Sequence, residues 1–235
     1  MLGHSSSDER TDALARLLDT LEGGLIVSCQ ASSGSPMRDT RTIARLAVSA
    51  LQGGAVALRV NSPADVEAVR AVTTVPIIGL HKQQGERRSV ITVTDEQVLG
   101  LAVAGADIVA VDATREVFDD IAGRLARAAG VSPVPLMADV STLDEGVQSW
   151  EAGVPFVGTT LSGYTPYSSG GLAPDVRLVS ELASRGVRVL AEGRYAKPDD
   201  VARAFDAGAF AVVVGGAITD PVAITRRFAA ATPHR

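Results

Sequence analysis

The sequence predicts a single (β/α)8 barrel, also called a TIM barrel, with one extra helix before the first strand. Short runs of Val, Ile, Leu and Ala recur along the chain, and segments with helical spacing of apolar residues follow them. The runs are continuously apolar, as parallel strands are when both faces of the sheet are covered. Glycines that precede strands are spaced by 25, 23, 33 and 22 residues, about one strand–helix unit: Gly105, Gly130, Gly153, Gly186 and Gly208.

We predict that residues 1–7 form a disordered tail and that residues 8–235 form the barrel domain. The extra helix covers residues 8–21, where leucines recur at helical spacing. The predicted strands cover residues 25–30, 55–59, 76–80, 107–111, 135–138, 155–158, 187–191 and 211–214. The helices that follow them are predicted over residues 40–51, from Pro63, 95–104, 116–129, 142–152, 174–184, 198–207 and 221–230.

Eight such pairs favour a closed barrel over the alternative, an open doubly wound sheet. The open sheet usually carries a G-x-G-x-x-G turn after its first strand, and this chain has none there. The longest interval between units contains residues 161–171, a segment rich in Ser, Gly and Tyr. We predict that this segment is an active-site loop.

Composition excludes several functional classes. The net charge is −5 with the signs interspersed, so we expect no nucleic-acid partner. We expect no membrane segment, because no apolar run approaches the roughly 20 residues of a bilayer span. The N-terminus lacks the apolar core of a signal peptide, and the single cysteine, Cys29, fits a reducing compartment. Together these features predict a cytoplasmic protein.

Polar residues and glycines follow the predicted strands. A barrel gathers the carboxyl ends of its strands around one mouth, where barrel enzymes bind their substrates. The residues expected there are Gln30, Arg59, Lys82, Asp112, Asp139, Thr159, Thr160, Glu192, Arg194, Gly215 and Gly216. Among them, we predict substrate contacts for Thr160 and for Arg194, whose planar fork of donors can hold an anion.

Lys82 and Glu192 form the predicted proton-transfer pair. A lysine in a closed pocket beside Arg59 has its ammonium form disfavoured, so that a neutral base becomes accessible. The alternative for Lys82 is a solvated loop lysine. For Asp112 and Asp139, an ion pair with Arg59 and a contact with substrate both remain open.

Glycines after the seventh and eighth strands predict a phosphate site. Many barrels bind phosphate there through backbone N–H groups and a helix N-terminus, which points to Gly193, Gly215 and Gly216. The alternative is that these glycines only relieve crowding in tight turns. Of three histidines, only His81 lies near the mouth, so we expect no required metal.

Seven segments together resemble one known family. They are residues 25–31, 76–79, 112–114, 137–142, 158–165, 191–194 and 213–219. The set resembles the N-acetylmannosamine-6-phosphate 2-epimerases, which are (β/α)8 barrels. The resemblance implies epimerisation at C2 of an amino sugar phosphate, in the catabolism of sialic acid and amino sugars, without a cofactor and by a homodimer.

By position, the resemblance implies that Lys82 and Glu192 are catalytic. It also implies that Gln30, Arg59 and Asp139 contact substrate, and that Arg59 or a nearby donor stabilises the oxyanion that develops beside C2.

The chain departs from the family pattern at charged positions. Lys82 is followed by glutamine rather than arginine, and Asp220 stands where the family has an arginine near the mouth. An acidic side chain there repels a phosphate dianion. The alternatives are therefore a barrel acting on an unphosphorylated or differently substituted sugar, a Schiff-base lyase or aldolase using Lys82, or a sugar-phosphate sensor without activity.

Overall fold

The computed structural model describes residues 5–168 and 170–233, and over these residues the chain forms strands and helices in alternation. The strands are β1 Leu25–Cys29, β2 Ala57–Asn61, β3 Ile77–Leu80, β4 Lys82–Gln84, β5 Ser89–Ile91, β6 Ile108–Asp112, β7 Leu136–Asp139, β8 Phe156–Gly158, β9 Val189–Glu192 and β10 Ala211–Val214. The helices are α1 Ser5–Leu21, α2 Thr40–Gln52, α3 Pro63–Arg70, α4 Asp95–Val103, α5 Ile121–Val131, α6 Leu143–Glu151, α7 Val176–Ala183, α8 Pro198–Asp206, α9 Gly216–Thr219 and α10 Pro221–Ala229.

Eight parallel strands close into a barrel in the order β1-β2-β3-β6-β7-β8-β9-β10, and β10 pairs with β1. The predicted (β/α)8 barrel with an extra N-terminal helix is confirmed. Helix α1 begins at Ser5, so residues 5–7 are helical, whereas the sequence predicts a tail up to residue 7. Residues 1–4 of the predicted tail lie outside the described residues.

Two apolar layers stabilise the barrel. The outer layer lies between the strands and the surrounding helices, and it includes Val60, Val111 and Val189. The inner layer fills the barrel with alternate residues of the same strands, such as Ile78 and Phe156. This division follows from the period of two along a strand, which sends successive side chains to opposite faces.

Helix α1 closes the amino-terminal end of the barrel. Leu17 and Leu21 of α1 are buried in the same cluster as Ile26 and Phe156, and Phe210 packs against that cluster. The barrel interior is therefore apolar at this end. At the opposite end the inward positions are polar, and these positions form the site described below.

Two local predictions are wrong in instructive ways. The structure has a short antiparallel hairpin, β4–β5, that the sequence analysis does not predict. Lys82 therefore lies on β4 and not at the end of a barrel strand. In addition, α5 begins at Ile121 rather than at residue 116, because the Asp120 carboxylate caps it by accepting from the Gly123 N–H at 2.8 Å.

No helix in residues 5–168 or 170–233 is long and apolar enough to cross a bilayer.

Candidate active site

A cavity of about 1010 Å³ opens at the carboxyl ends of the barrel strands. Eight of the ten predicted site residues line it: Gln30, Lys82, Thr160, Glu192, Gly193, Arg194, Gly215 and Gly216. Five basic side chains but only two acidic ones line the same cavity: Arg38, Lys82, Arg88, Arg194 and Arg227 against Glu192 and Asp220. Basic side chains thus outnumber acidic ones in the cavity wall, and two of them are paired with carboxylates: Arg38 with Asp65, and Arg88 with Asp112 and Glu116.

Arg59 lies inside the barrel, below the floor of the cavity. It points inward from the middle of β2 and is 1% exposed. Its two terminal nitrogens donate to both carboxylate oxygens of Asp139, and Nη1 also donates to Glu192 Oε2. Burial would lower the pKa of Arg59, but the charges of Asp139 and Glu192 outweigh burial and raise it, so the guanidinium stays charged.

Thr160 completes this buried cluster. Its hydroxyl oxygen lies 2.6 Å from Asp139 Oδ1 and 3.2 Å from Glu192 Oε2, and it accepts from Arg59 Nη1 at 3.2 Å. Gly158, two residues earlier on β8, leaves room for the cluster. A Cβ on Gly158 would lie 2.9 Å from both Asp139 Oδ1 and Thr160 Oγ1. The barrel strands therefore fix Glu192 through a network of charged hydrogen bonds.

Both members of the predicted proton-transfer pair line the mouth. Glu192 ends β9, and burial raises its pKa, with the positive charge of Arg59 opposing that rise. Burial lowers the pKa of Lys82, and the charge of Arg59 lowers it further against the opposite pull of Glu192 and Asp139. The surface of Lys82 is open to the cavity, so a ligand that fills the mouth would strengthen this effect. The pKa values of Glu192 and Lys82 are thus shifted towards each other.

Two polar atoms in the cavity wall have no hydrogen-bond partner among the described residues. One is Gln30 Oε1; the same amide donates from Nε2 to Ser28 Oγ at 2.7 Å. The other is the hydroxyl of Tyr195, whose pKa burial raises to about 12, so that it stays protonated. The sequence predicts a substrate contact for Gln30 and none for Tyr195, which follows a strand end by three residues. Both atoms are buried, and each has hydrogen-bonding capacity that no described residue meets.

The glycine turns have the geometry that a close backbone approach needs. Gly193 has a φ of +116°, in the region that favours glycine. Gly215 and Gly216 lead into the single turn of α9, whose first N–H groups lack partners within the helix. The phosphate-binding role of these three glycines stays a prediction.

Arg194 is largely engaged by protein. Its Nε donates to Ala173 O at 2.8 Å and its Nη1 to Ser162 O at 2.6 Å, and its guanidinium lies 5.4 Å from the Tyr164 ring centroid. Arg194 thus bonds the chain at the start of the predicted active-site loop, residues 161–171, and just beyond its end. A contact of Arg194 with substrate stays a prediction.

The ion pairs of the two aspartates differ from each other. Asp139 pairs with Arg59, one of the two possibilities raised by the sequence. Asp112 does not join Arg59; it pairs with Arg88, a residue that sequence reasoning missed. Because both aspartates are fully buried and ion-paired, neither presents free surface to the cavity.

Comparison with known proteins identifies the family. The family model described as "Putative N-acetylmannosamine-6-phosphate epimerase" matches residues 43–234. A protein of Klebsiella pneumoniae named "Putative N-acetylmannosamine-6-phosphate 2-epimerase" is 46% identical over 198 residues, which is 84% of each chain. A Clostridium perfringens protein of the same name is 39% identical and covers 90% of this chain and 98% of its own. This chain belongs to that family.

Solved structures agree with this assignment. The structure of the N-acetylmannosamine-6-phosphate 2-epimerase from Clostridium perfringens superposes with a TM-score of 0.85 at 37% identity, covering 92% of this chain and 96% of its own. An aldolase, QR15, superposes with a TM-score of 0.64 at 16% identity, covering 89% of this chain and 96% of its own. At that identity the aldolase shows the shared barrel fold alone.

Asp220, one of the positions where the chain departs from the expected pattern, has a structural role. Its carboxylate caps α10 by accepting from the Ala223 N–H at 3.0 Å, so the charge lies at the favourable positive end of a helix. On the same side of α10, Ala223 and Arg227 also line the cavity. The wall of the cavity therefore holds both the carboxylate-bearing Asp220 and Arg227.

No group of three or more His, Cys, Asp or Glu in the described part of the chain is arranged to hold a metal ion. The expectation that the reaction needs neither metal nor cofactor stays a prediction.

Proposed function

We propose that the protein converts N-acetylmannosamine 6-phosphate to N-acetylglucosamine 6-phosphate by moving a proton at C2. Membership of the epimerase family supports this activity. The observation that carries the mechanism is the convergence of Lys82 and Glu192 at one cavity, with pKa values displaced in opposite directions. A C–H next to a carbonyl is weakly acidic, so proton transfer needs a base on one side and an acid on the other.

In this proposal one of the two residues, Lys82 or Glu192, removes the proton from C2 as a base. The other returns a proton to the opposite side of C2 as an acid. Either group can act as the base, because the opposite shifts of their pKa values bring the two pKa values closer together. Arg59 lies beneath Glu192 and holds its carboxylate in place. Gln30, whose side chain lines the cavity, bonds a polar group of the sugar, and the basic side chains of the mouth attract the phosphate.

A time course in D₂O tests the proposal directly. With N-acetylmannosamine 6-phosphate, NMR should show a second epimer appearing and deuterium entering C2 of substrate and product. Lys82→Met and Glu192→Gln should each lower kcat by about 10²- to 10⁴-fold, the usual contribution of an acid or base. Folded protein without C2 exchange would refute the activity, and a wild-type rate in either variant would refute that residue's role.

Asp220 favours a second candidate, in which the same barrel epimerises an unphosphorylated sugar. Its carboxylate lines the cavity beside Gly216 and would repel a dianion. The five basic side chains of the mouth weigh against this candidate. Comparison of kcat/KM for N-acetylmannosamine with and without its phosphate distinguishes them; preference for the phosphorylated sugar rejects the second.

We also propose a cytoplasmic homodimer, which the family resemblance and the composition support. Light scattering of the purified protein should give twice the 24.2 kDa of one chain. A mass of one chain would refute the dimer.

A further inference from the structure

The lysine proposed to move the proton lies on an element that the barrel sheet does not include. Strands β4 and β5 form a hairpin with three paired positions, in which Lys82 lies opposite Ile91, Gln83 opposite Val90 and Gln84 opposite Ser89. An isolated two-stranded hairpin is at best marginally stable in water. The position of Lys82 therefore depends on what fastens this hairpin to the barrel.

The base of the hairpin is fastened by short-range bonds. His81 and Thr92 bond to each other twice, at 2.8 and 2.9 Å, and the Lys82 N–H donates to Asn61 Oδ1 at 2.8 Å. These bonds fix where the hairpin leaves the barrel. They lie at one end of it, so they do not by themselves set how its other end leans over the mouth.

Arg88, the residue before β5, fastens that other end. Its Nη1 and Nη2 donate to the two oxygens of Asp112 at 2.7 and 3.2 Å, its Nη2 to Thr114 Oγ1 at 2.8 Å, and its Nε to Glu116 Oε2 at 2.8 Å. Asp112 ends β6 and is fully buried, and Arg88 is only 10% exposed. Such a buried bidentate pair is stronger and more directional than an exposed one.

The same aspartate connects this clamp to the position opposite Lys82. Asp112 Oδ2 also accepts from the Ile91 N–H at 3.3 Å, and Ile91 is the partner of Lys82 across the hairpin. In the described residues, Arg88 donates to Asp112, Thr114, Glu116 and its neighbour's carbonyl, and not to the proposed acid–base pair. Arg88 also lines the cavity, so an effect of its charge on substrate binding would appear in KM, whereas an effect that passes through the hairpin would appear in kcat.

We infer that Arg88 is a positioning residue: it holds the Asp112 carboxylate that accepts from the Ile91 N–H opposite Lys82, and it thereby sets the reach of Lys82 towards Glu192. The inference rests on the proposed function for the role of Lys82. A displacement of about 1 Å in a reacting group can cost about 10²-fold in rate, so loss of the clamp should lower kcat while leaving substrate affinity nearly intact.

A matched pair of variants separates positioning from stability. Arg88→Gln removes the arginine bound to the aspartate at the end of β6. Arg70→Gln removes the arginine that pairs with Asp107, just before the other end of β6. Both should lower the Tm. Only Arg88→Gln should lower kcat, by about 10- to 10²-fold, with KM changed by less than about threefold.

A second measurement reports the position of Lys82 without turnover. The chain has two lysines, Lys82 and Lys197, so ¹³C-dimethylation gives two lysine resonances that NMR can titrate separately. Burial lowers the pKa of Lys82, and the charges acting on it are those of Arg59, Glu192 and Asp139. In Arg88→Gln this pKa should rise towards its ordinary value, while Arg70→Gln should leave it unchanged.

A double variant, Arg88→Gln with Asp112→Asn, keeps the net charge of the pair. If Arg88 acted only through its charge, the double variant would return the pKa of Lys82 to its wild-type value; positioning predicts that it stays raised. Wild-type kcat and an unmoved pKa in folded Arg88→Gln would overturn the inference, as would an equal loss of kcat in Arg70→Gln. If the unchanged protein shows no C2 exchange, the proposed function fails, and the Lys82 titration still decides whether Arg88 sets its position.

Discussion

Glu192 and Lys82 differ in how the protein holds them. Glu192 ends a barrel strand and accepts from a buried arginine, so its carboxylate has little freedom. Lys82 has a flexible side chain on a hairpin at the rim. Because burial raises the pKa of the first and lowers that of the second, the pair readily holds one proton between them. A carboxylate fixed by a barrel strand and an amine carried by the hairpin can then serve the two faces of one carbon.

The pH dependence of activity follows from these shifts. At low pH both groups are protonated and no base remains, and at high pH both are deprotonated and no acid remains. We expect kcat/KM to rise and then fall with pH, giving a bell whose limbs report the pair rather than either residue. A rate that rises steadily through the alkaline range would contradict a two-group mechanism.

Glu192→Gln tests the electrostatic contact between the two residues. The charge of Glu192 raises the pKa of Lys82, so its removal should lower that pKa further. Titration of ¹³C-dimethylated Lys82 by NMR measures the change, and Lys197 serves as the reference within the same sample. An upward shift of the Lys82 pKa would show that the two side chains do not interact as described.

At the scale of elements, an arginine joins the two ends of the loop between β8 and α7. Arg194 has a φ of +62° and bonds carbonyls at both ends of this loop, those of Ser162 and Ala173. Gly163 gives it room, because a Cβ there would lie 2.8 Å from Arg194 Nη1. A lysine cannot reproduce these bonds, since it lacks the planar fork of donors.

Arg194→Lys should therefore release the loop while keeping the charge. We expect faster amide hydrogen exchange in residues 161–173 and a KM higher by about tenfold, equivalent to about 1.4 kcal/mol. Arg185→Lys is a matched control, because Arg185 is exposed and donates to one carbonyl within its own helix region. A raised KM with unchanged loop exchange would instead assign Arg194 to direct substrate contact.

For the whole molecule, the two ends of the barrel have separate tasks. The amino-terminal end is apolar and closed by α1, and the carboxyl-terminal end carries the polar residues and the cavity. Substitutions at the first end should change stability, and substitutions at the second should change activity. A substitution at the amino-terminal end of the barrel can thus lower the free energy of unfolding without lowering the catalytic rate.

Leu21→Ala tests this separation. Leu21 is fully buried beneath the barrel, so its truncation should lower the free energy of unfolding by about 2–5 kcal/mol, as measured by urea denaturation. Wild-type kcat is expected in the folded variant. Leu172→Ala, at a fully exposed leucine, should leave stability nearly unchanged. A large loss of kcat in Leu21→Ala would show that the two ends are coupled.

The barrel could be predicted because its signal is repeated eight times in local sequence. Each buried strand is a continuous apolar run, and a strand end followed by Glu192 or Asp139 marks the mouth. The hairpin β4–β5 could not be predicted in this way. Its strands have three residues each, and polar side chains fill β4. One of the contacts that fasten the hairpin joins Arg88 to Asp112, 24 residues apart, and no local pattern reveals it.

The closed amino-terminal end of the barrel affects how substrate, product and solvent reach the active site. Leu17 and Leu21 seal one end with the apolar inner layer, so the cavity at the other end is the way in for sugar, the way out for product and the route for solvent hydrons. Substrate, product and solvent therefore pass through the same opening. A sugar bound in this opening slows the exchange of the proton on the acid–base pair with solvent. In D₂O, deuterium should therefore enter C2 less often per turnover as the substrate concentration rises.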